Sequence, residues 1–152
     1  MRTSRQKYKM TSTAYLDSIG FWGPRTLAAH GVWVTSADMR ILARRKVGVA
    51  HNPESNMKLA SGTAKVPAMR AAGIQVGLGT DGAASNNDLD MFEAMRQAAF
   101  LQKLMTKDPR ALPAKDALAM ATIEGARALG MDDRIGSIES GKRADLIIVS
   151  MA

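Results

Sequence analysis

The stretch that most restricts the fold is residues 74–100, IQVGLGTDGAASNNDLDMFEAMRQAAF. Ile74, Val76 and Leu78 alternate with Gly77 and Gly79, which suits a short buried strand whose backbone runs close to a neighbouring element. The apolar run stops just before Asp81, so a carboxylate is expected at the strand's C-terminal end. Beyond it, Ser85, Asn86 and Asn87 are candidate helix caps. Asp88 and Asp90 put negative charge where a helix N-terminus favours it. In parallel α/β folds, that end of a strand is where ligands and catalytic groups collect. Thr-Asp-Gly is also ordinary turn sequence, so Asp81 gains meaning only from what stands beside it.

Two upstream stretches repeat the pattern. Residues 26–29 form an apolar run that ends at His30, and residues 47–50 form another that ends at His51. Helical spacing fills the intervals. A short helix is expected over 11–19, and a second through Arg45, capped by Thr35 or Ser36, with Met39, Ile41, Leu42 and Ala43 inward. A third is expected over 63–72, interrupted near its start by Pro67. After the 74–78 strand, a helix to about Met105 would set Leu89, Phe92, Met95 and Ala99 on one face. One from Pro113 to Leu129 would bury Ala117, Leu118 and Ala121. Residues 52–62 read as a polar loop, and residues 136–138 and 144–149 as a strand pair around an exposed turn. Short continuous apolar strands alternating with helices predict parallel βα units. Right-handed crossovers then bring His30, His51 and Asp81 to one edge of one sheet.

A chain of 152 residues with 46% hydrophobic side chains suits one domain with its own core. The absence of cysteine excludes disulfides and thiolate metal sites. The net charge of +7 is scattered, and its clusters at residues 2–9 and 40–46 carry no interleaved aromatic residues or reader motif, which argues against nucleic acid as a partner. No apolar run approaches the roughly 20 residues that span a bilayer, so a cytoplasmic, non-membrane protein is expected. Residues 1–10 read as a disordered basic tail.

Four segments together carry a family resemblance: AAHGVWV at 28–34, GVAHNPESNMKLASG at 48–62, GLGTDGAASNNDLDMFEAMR at 77–96 and GSIESGKRADLIIV at 136–149. They closely resemble the C-terminal half of the amidohydrolase superfamily, in the branch of S-adenosylhomocysteine and methylthioadenosine deaminases and s-triazine chlorohydrolases. The resemblance implies a partial (β/α)8 TIM-type barrel, about the last three βα units, over residues 11–135. Residues 136–152 would add the C-terminal strand pair of a small β-sandwich. It further implies a mononuclear zinc or iron centre and hydrolysis of C–N or C–Cl bonds on purine or triazine-type rings.

On that template Asp81 resembles the aspartate that touches the metal and relays a proton. His30 resembles the histidine that hydrogen-bonds the metal-bound water or the forming oxyanion. Both would meet the heterocyclic substrate, while His51, Asn56, Ser85 and Asn86 would shape and support the site. A divalent metal brings the pKa of bound water to about 7, which a neighbouring carboxylate and imidazole can exploit. The family's HxH pair, third metal-binding histidine and substrate-gripping glutamate have no counterpart, since the chain holds two histidines in all. The resemblance therefore implies a truncated hydrolase, inactive alone and dependent on an N-terminal half, that self-associates through open strand edges. The competing expectation is a degenerate, non-catalytic fragment that serves in oligomerisation or partner binding.

Overall fold

The computed structural model describes residues 2–150. In chain order the elements are α1 Arg2–Tyr8, α2 Ser12–Ser18, β1 Leu27–Ala29, α3 Ser36–Arg44, β2 Gly48–His51, α4 Pro53–Lys58, α5 Val66–Ala71 and β3 Val76–Leu78, followed by α6 Ala83–Asn86, α7 Met91–Thr106, α8 Ala114–Ala121 and α9 Ile123–Leu129. The strands form one parallel sheet in the order β1-β2-β3, with Ala28 opposite Val49, Val49 opposite Val76 and His51 opposite Leu78. This is the expected strand–helix alternation, and it sets the C-terminal ends of all three strands side by side.

Val47, Val49, Ile74 and Val76 bury their side chains with Met39 and Leu42 of α3 and Val66 and Met69 of α5. Each such burial contributes roughly 1.5–3 kcal/mol. Alternation sends Gly48 and Gly77 to the other side, where α9 lies. A Cβ at Gly48 would overlap the Ala128 carbonyl, and one at Gly77 would stand 2.8 Å from Gly125 Cα. The strand glycines are thus points of close backbone approach, as the 74–79 pattern suggested. Arg70, at the end of α5, joins the layers through Asp116 of α8 at 3.0 Å and Glu124 of α9 at 2.8 Å.

The start of α3 is tied to α2. Thr35 and Asp38 form a reciprocal capping box, and the buried Asp38 carboxylate also accepts the Thr11 hydroxyl, which in turn caps α2 through the Ala14 amide. Asp17 adds ion pairs to Arg44 at 3.0 Å and Arg45 at 2.6 Å.

Several expectations are corrected. The polar 52–62 segment contains α4, because Pro53 occupies the first helical turn, where its missing N–H costs nothing. Pro67 likewise opens α5 and does not interrupt a longer helix. On α7 the buried positions are Ala94, Ala98 and Gln102, while Leu89 and Phe92 are exposed. Small side chains let α7 sit close to its neighbours, and Gln102 donates to the Ala64 carbonyl at 3.0 Å. The helix expected over 113–129 breaks at Thr122 into α8 and α9, with Leu118 outward.

The α7 cap is Asp90, whose Oδ1 accepts from the Phe92 and Glu93 amides, so Ser85, Asn86 and Asn87 do not cap it. The basic N-terminus is helical as α1, with Tyr8 stacked on Tyr15 at 4.0 Å. Residues 136–150 form turns and coil in place of the expected strand pair. Ile138, Ile147 and Ile148 are largely exposed, and among the described residues no strand lies beside them to pair with. The expected C-terminal segment also included residues 151–152, which lie outside the described residues. No helix of the described residues is long and apolar enough to cross a membrane.

Candidate active site

Each strand hands over to a residue with chemistry of its own. His30 follows β1 directly, and its amide donates to the Ala50 carbonyl at 2.8 Å, continuing the ladder before the chain turns. Asp81 lies three residues beyond β3. Both have left-handed backbone, with φ +65° at His30 and +62° at Asp81. For residues with a Cβ this conformation costs roughly 1–2 kcal/mol, and such strain concentrates where function requires it. The outcome is convergence: His30 Nε2 stands 3.8 Å from Asp81 Oδ2, and both side chains are about one-third exposed.

Helix α4 braces the pair from below. Ser55 donates its hydroxyl to Asp81 Oδ2 at 2.7 Å, and Asn56 Oδ1 lies 2.9 Å from His30 Nδ1. The Ser55 hydroxyl, with Ser85 and the Gly82 amide acting in the same direction, holds the Asp81 carboxyl below the usual carboxylate range. Asn86 pins the loop that carries Asp81, donating from Nδ2 to the Thr80 carbonyl at 2.8 Å and to Glu54 Oε2 at 2.9 Å. Burial raises the Glu54 carboxyl above its ordinary range. Ser85 donates its own hydroxyl to the Gly82 carbonyl at 3.0 Å, which tightens the turn after Asp81.

His51 does not reach the open side. Its ring is fully buried, neither nitrogen has a hydrogen-bond partner among the described residues, and burial, with His30 nearby, pushes its pKa down to about 4. It is therefore neutral at pH 7. Ser55 is the contact that sequence reasoning missed. Its signal was the PES sequence that follows His51 and Asn52 at the end of β2, where a helix opened by proline turns its first polar residues toward the strand ends.

A cavity of about 490 Å³ opens over the pair, lined by Thr13, Ala29, His30, Trp33, Asn56 and Asp81 among others. It presents an imidazole and a carboxylate to one space, with an exposed aromatic ring at its rim. Zinc sites take three or four protein ligands. Among the described residues no group of three or more His, Cys, Asp or Glu side chains could hold a metal. His30 and Asp81 therefore make at most part of such a site, and a zinc centre does not fit the residues of this chain alone.

Residues 3–151 match the Amidohydrolase family. The chain is 57% identical over 144 residues to a 5-methylthioadenosine/S-adenosylhomocysteine deaminase of Desulforudis audaxviator, covering 95% of this chain and 34% of that protein. It is 53% identical over 147 residues to a 5'-deoxyadenosine deaminase of Methanosarcina mazei, with 97% and 34% covered. Among solved structures, an adenosine deaminase from Xanthomonas campestris with bound zinc matches at 48% identity and a TM-score of 0.90, over 95% of this chain and 33% of that one. Atrazine chlorohydrolase from Arthrobacter aurescens, complexed with zinc, matches at 32% identity and a TM-score of 0.84, over 93% and 31%. The chain thus spans about a third of the length of the relatives it matches. A match running almost end to end, with structural similarity to two zinc-bound enzymes at TM-scores of 0.90 and 0.84, shows that the chain belongs to the amidohydrolase family.

Proposed function

We propose that this chain supplies the C-terminal share of a metal-dependent hydrolase that cleaves C–N bonds, or C–Cl bonds, on purine or triazine-type rings, and that it is inactive by itself. The observation that carries the reading is the juxtaposition of His30 and Asp81 across 3.8 Å, each held in a left-handed backbone at a strand end. Relatives above 50% identity that bear deaminase names support the reaction class.

In this reading Asp81 is one ligand of a zinc or iron ion whose other ligands come from outside this chain. The same carboxylate, kept ionised by Ser55, accepts a proton from attacking water. His30 stands where it can stabilise charge on a tetrahedral intermediate. Substrate contacts fall to the same two residues, while His51, Asn56, Ser85 and Asn86 hold them in place. The test is complementation. The chain is mixed with zinc and the separately expressed N-terminal two-thirds of the Desulforudis relative, and deamination of adenosine-type nucleosides is followed. Activity above either part alone, abolished by Asp81→Asn, is the expected result. No activity at any metal loading contradicts it.

A second reading, a non-catalytic fragment that serves in self-association, draws on the exposed side chains of Phe100, Leu104, Ile138 and Ile147 and on the free edges of β1 and β3. Sedimentation of the isolated chain tests it. Concentration-dependent oligomers together with failed complementation favour that reading, and a monomer that complements rejects it.

A further inference from the structure

Asn56 lies inside α4 with its side chain buried, and its Oδ1 faces His30 Nδ1 at 2.9 Å. An amide oxygen accepts hydrogen bonds and cannot donate one, so in this pairing Nδ1 carries the hydrogen. A neutral imidazole holds a single ring hydrogen, which leaves Nε2 with the lone pair. We propose that Asn56 is a positioning residue that locks neutral His30 in its Nδ1–H form, so that Nε2 faces the Asp81 carboxylate as a second acceptor.

The far side of the ring agrees. The 3.8 Å between Nε2 and Asp81 Oδ2 is beyond the roughly 2.7–3.2 Å of an N–H···O bond. A ring with its hydrogen on Nε2 would be drawn onto the carboxylate, because bonds to ionised acceptors are shorter still. Asp81 Oδ2 takes its donor from Ser55 instead, at 2.7 Å. Among the described residues the buried Asn56 Nδ2 and both ring nitrogens of the buried His51 have no hydrogen-bond partner, so the Asn56 side chain has its one bond with His30 and His51 competes for neither. Two acceptors that face one space suit an occupant with hydrogens to give, such as a water molecule or an amine.

This inference deepens the hydrolase reading, and its chemical consequence rests on that reading. In that reading Nε2 accepts a hydrogen bond from the attacking water while Asp81 takes the proton that this water gives up. The tautomer itself does not depend on whether the chain takes part in catalysis. Failed complementation would leave the following spectrum untouched.

The experiment is two-bond proton–nitrogen correlation NMR on the 15N-labelled 152-residue chain at pH 8, above the ordinary histidine pKa of about 6.5. With two histidines in the chain, His51→Leu assigns both rings. The expected His30 pattern is a pyrrole-type shift at Nδ1 and a pyridine-type shift at Nε2. Asn56→Asp, which keeps an acceptor oxygen, retains that pattern. Asn56→Leu, which has none, moves His30 toward the Nε2–H form that a free imidazole prefers in water. An Nε2–H ring in the unaltered chain overturns the proposal, and so does a pattern unmoved by Asn56→Leu in a folded chain. Should Asn56→Leu fail to fold, the unaltered chain and Asn56→Asp decide: Nδ1–H in both supports the proposal, and Nε2–H in either defeats it.

Discussion

His30 and Asp81 share an uncommon backbone conformation, φ +65° and +62°, at the point where their side chains come within 3.8 Å of each other. Neither residue is glycine, so the left-handed turns cost energy that a chain selected for stability alone would avoid. His30→Gly is therefore expected to be more stable than His30→Ala by about 1 kcal/mol, the reverse of the order at an ordinary position. Urea denaturation of the two variants checks this, and equal midpoints would show that position 30 is not held in that conformation.

Much of this site is legible in the sequence. Continuous apolar runs that stop at His30, His51 and Asp81, with helical spacing between them, leave little freedom once crossovers must be right-handed. What stayed hidden was α4. PESNMK has no apolar stripe, and the buried faces of Ser55 and Asn56 are held by hydrogen bonds to residues 25 or more positions away in sequence. The inward face of α7 was misread for a related reason. Close packing there selects Ala94 and Ala98, whose small size a search for large apolar residues passes over. The strand propensity of residues 144–149 is real, but a strand also needs a neighbour, and residue pattern alone does not provide one.

His51 makes stability depend on pH. Its folded pKa of about 4 lies below the ordinary value near 6.5. The unfolded chain therefore takes up a proton between those values, while the folded chain does not. The contribution is complete above about pH 6.5 and declines as pH falls toward 4, by about 3 kcal/mol in all. His51→Leu removes both unpartnered nitrogens, so it should leave stability at pH 7 unchanged or raised and flatten this part of the profile. Denaturant midpoints from pH 7 to 4 measure both, and an equal slope in the two proteins would place the pH dependence elsewhere.

Gly48 is the tightest contact between the sheet and α9. Gly48→Ala forces a methyl group into the Ala128 carbonyl, and backbone on both sides must shift. A loss of about 3 kcal/mol is expected. Gly23→Ala, with open space around it and no left-handed backbone, should change stability by less than about 0.5 kcal/mol. Thermal or urea unfolding compares them. Similar small effects at both positions would mean that α9 does not rest on β2.

Asp81, with His30 3.8 Å away, is proposed as one ligand of a metal site completed from outside this chain. Zinc affinity, measured by competition against a chelator, tests it most directly, first on the isolated chain and then on the chain paired with the N-terminal two-thirds of the Desulforudis relative. The expected result is no stoichiometric zinc on the isolated chain, one zinc per pair, and an affinity at least about tenfold weaker when the pair carries Asp81→Asn. Stoichiometric zinc on the chain alone, or unchanged affinity in the Asp81→Asn pair, would contradict it.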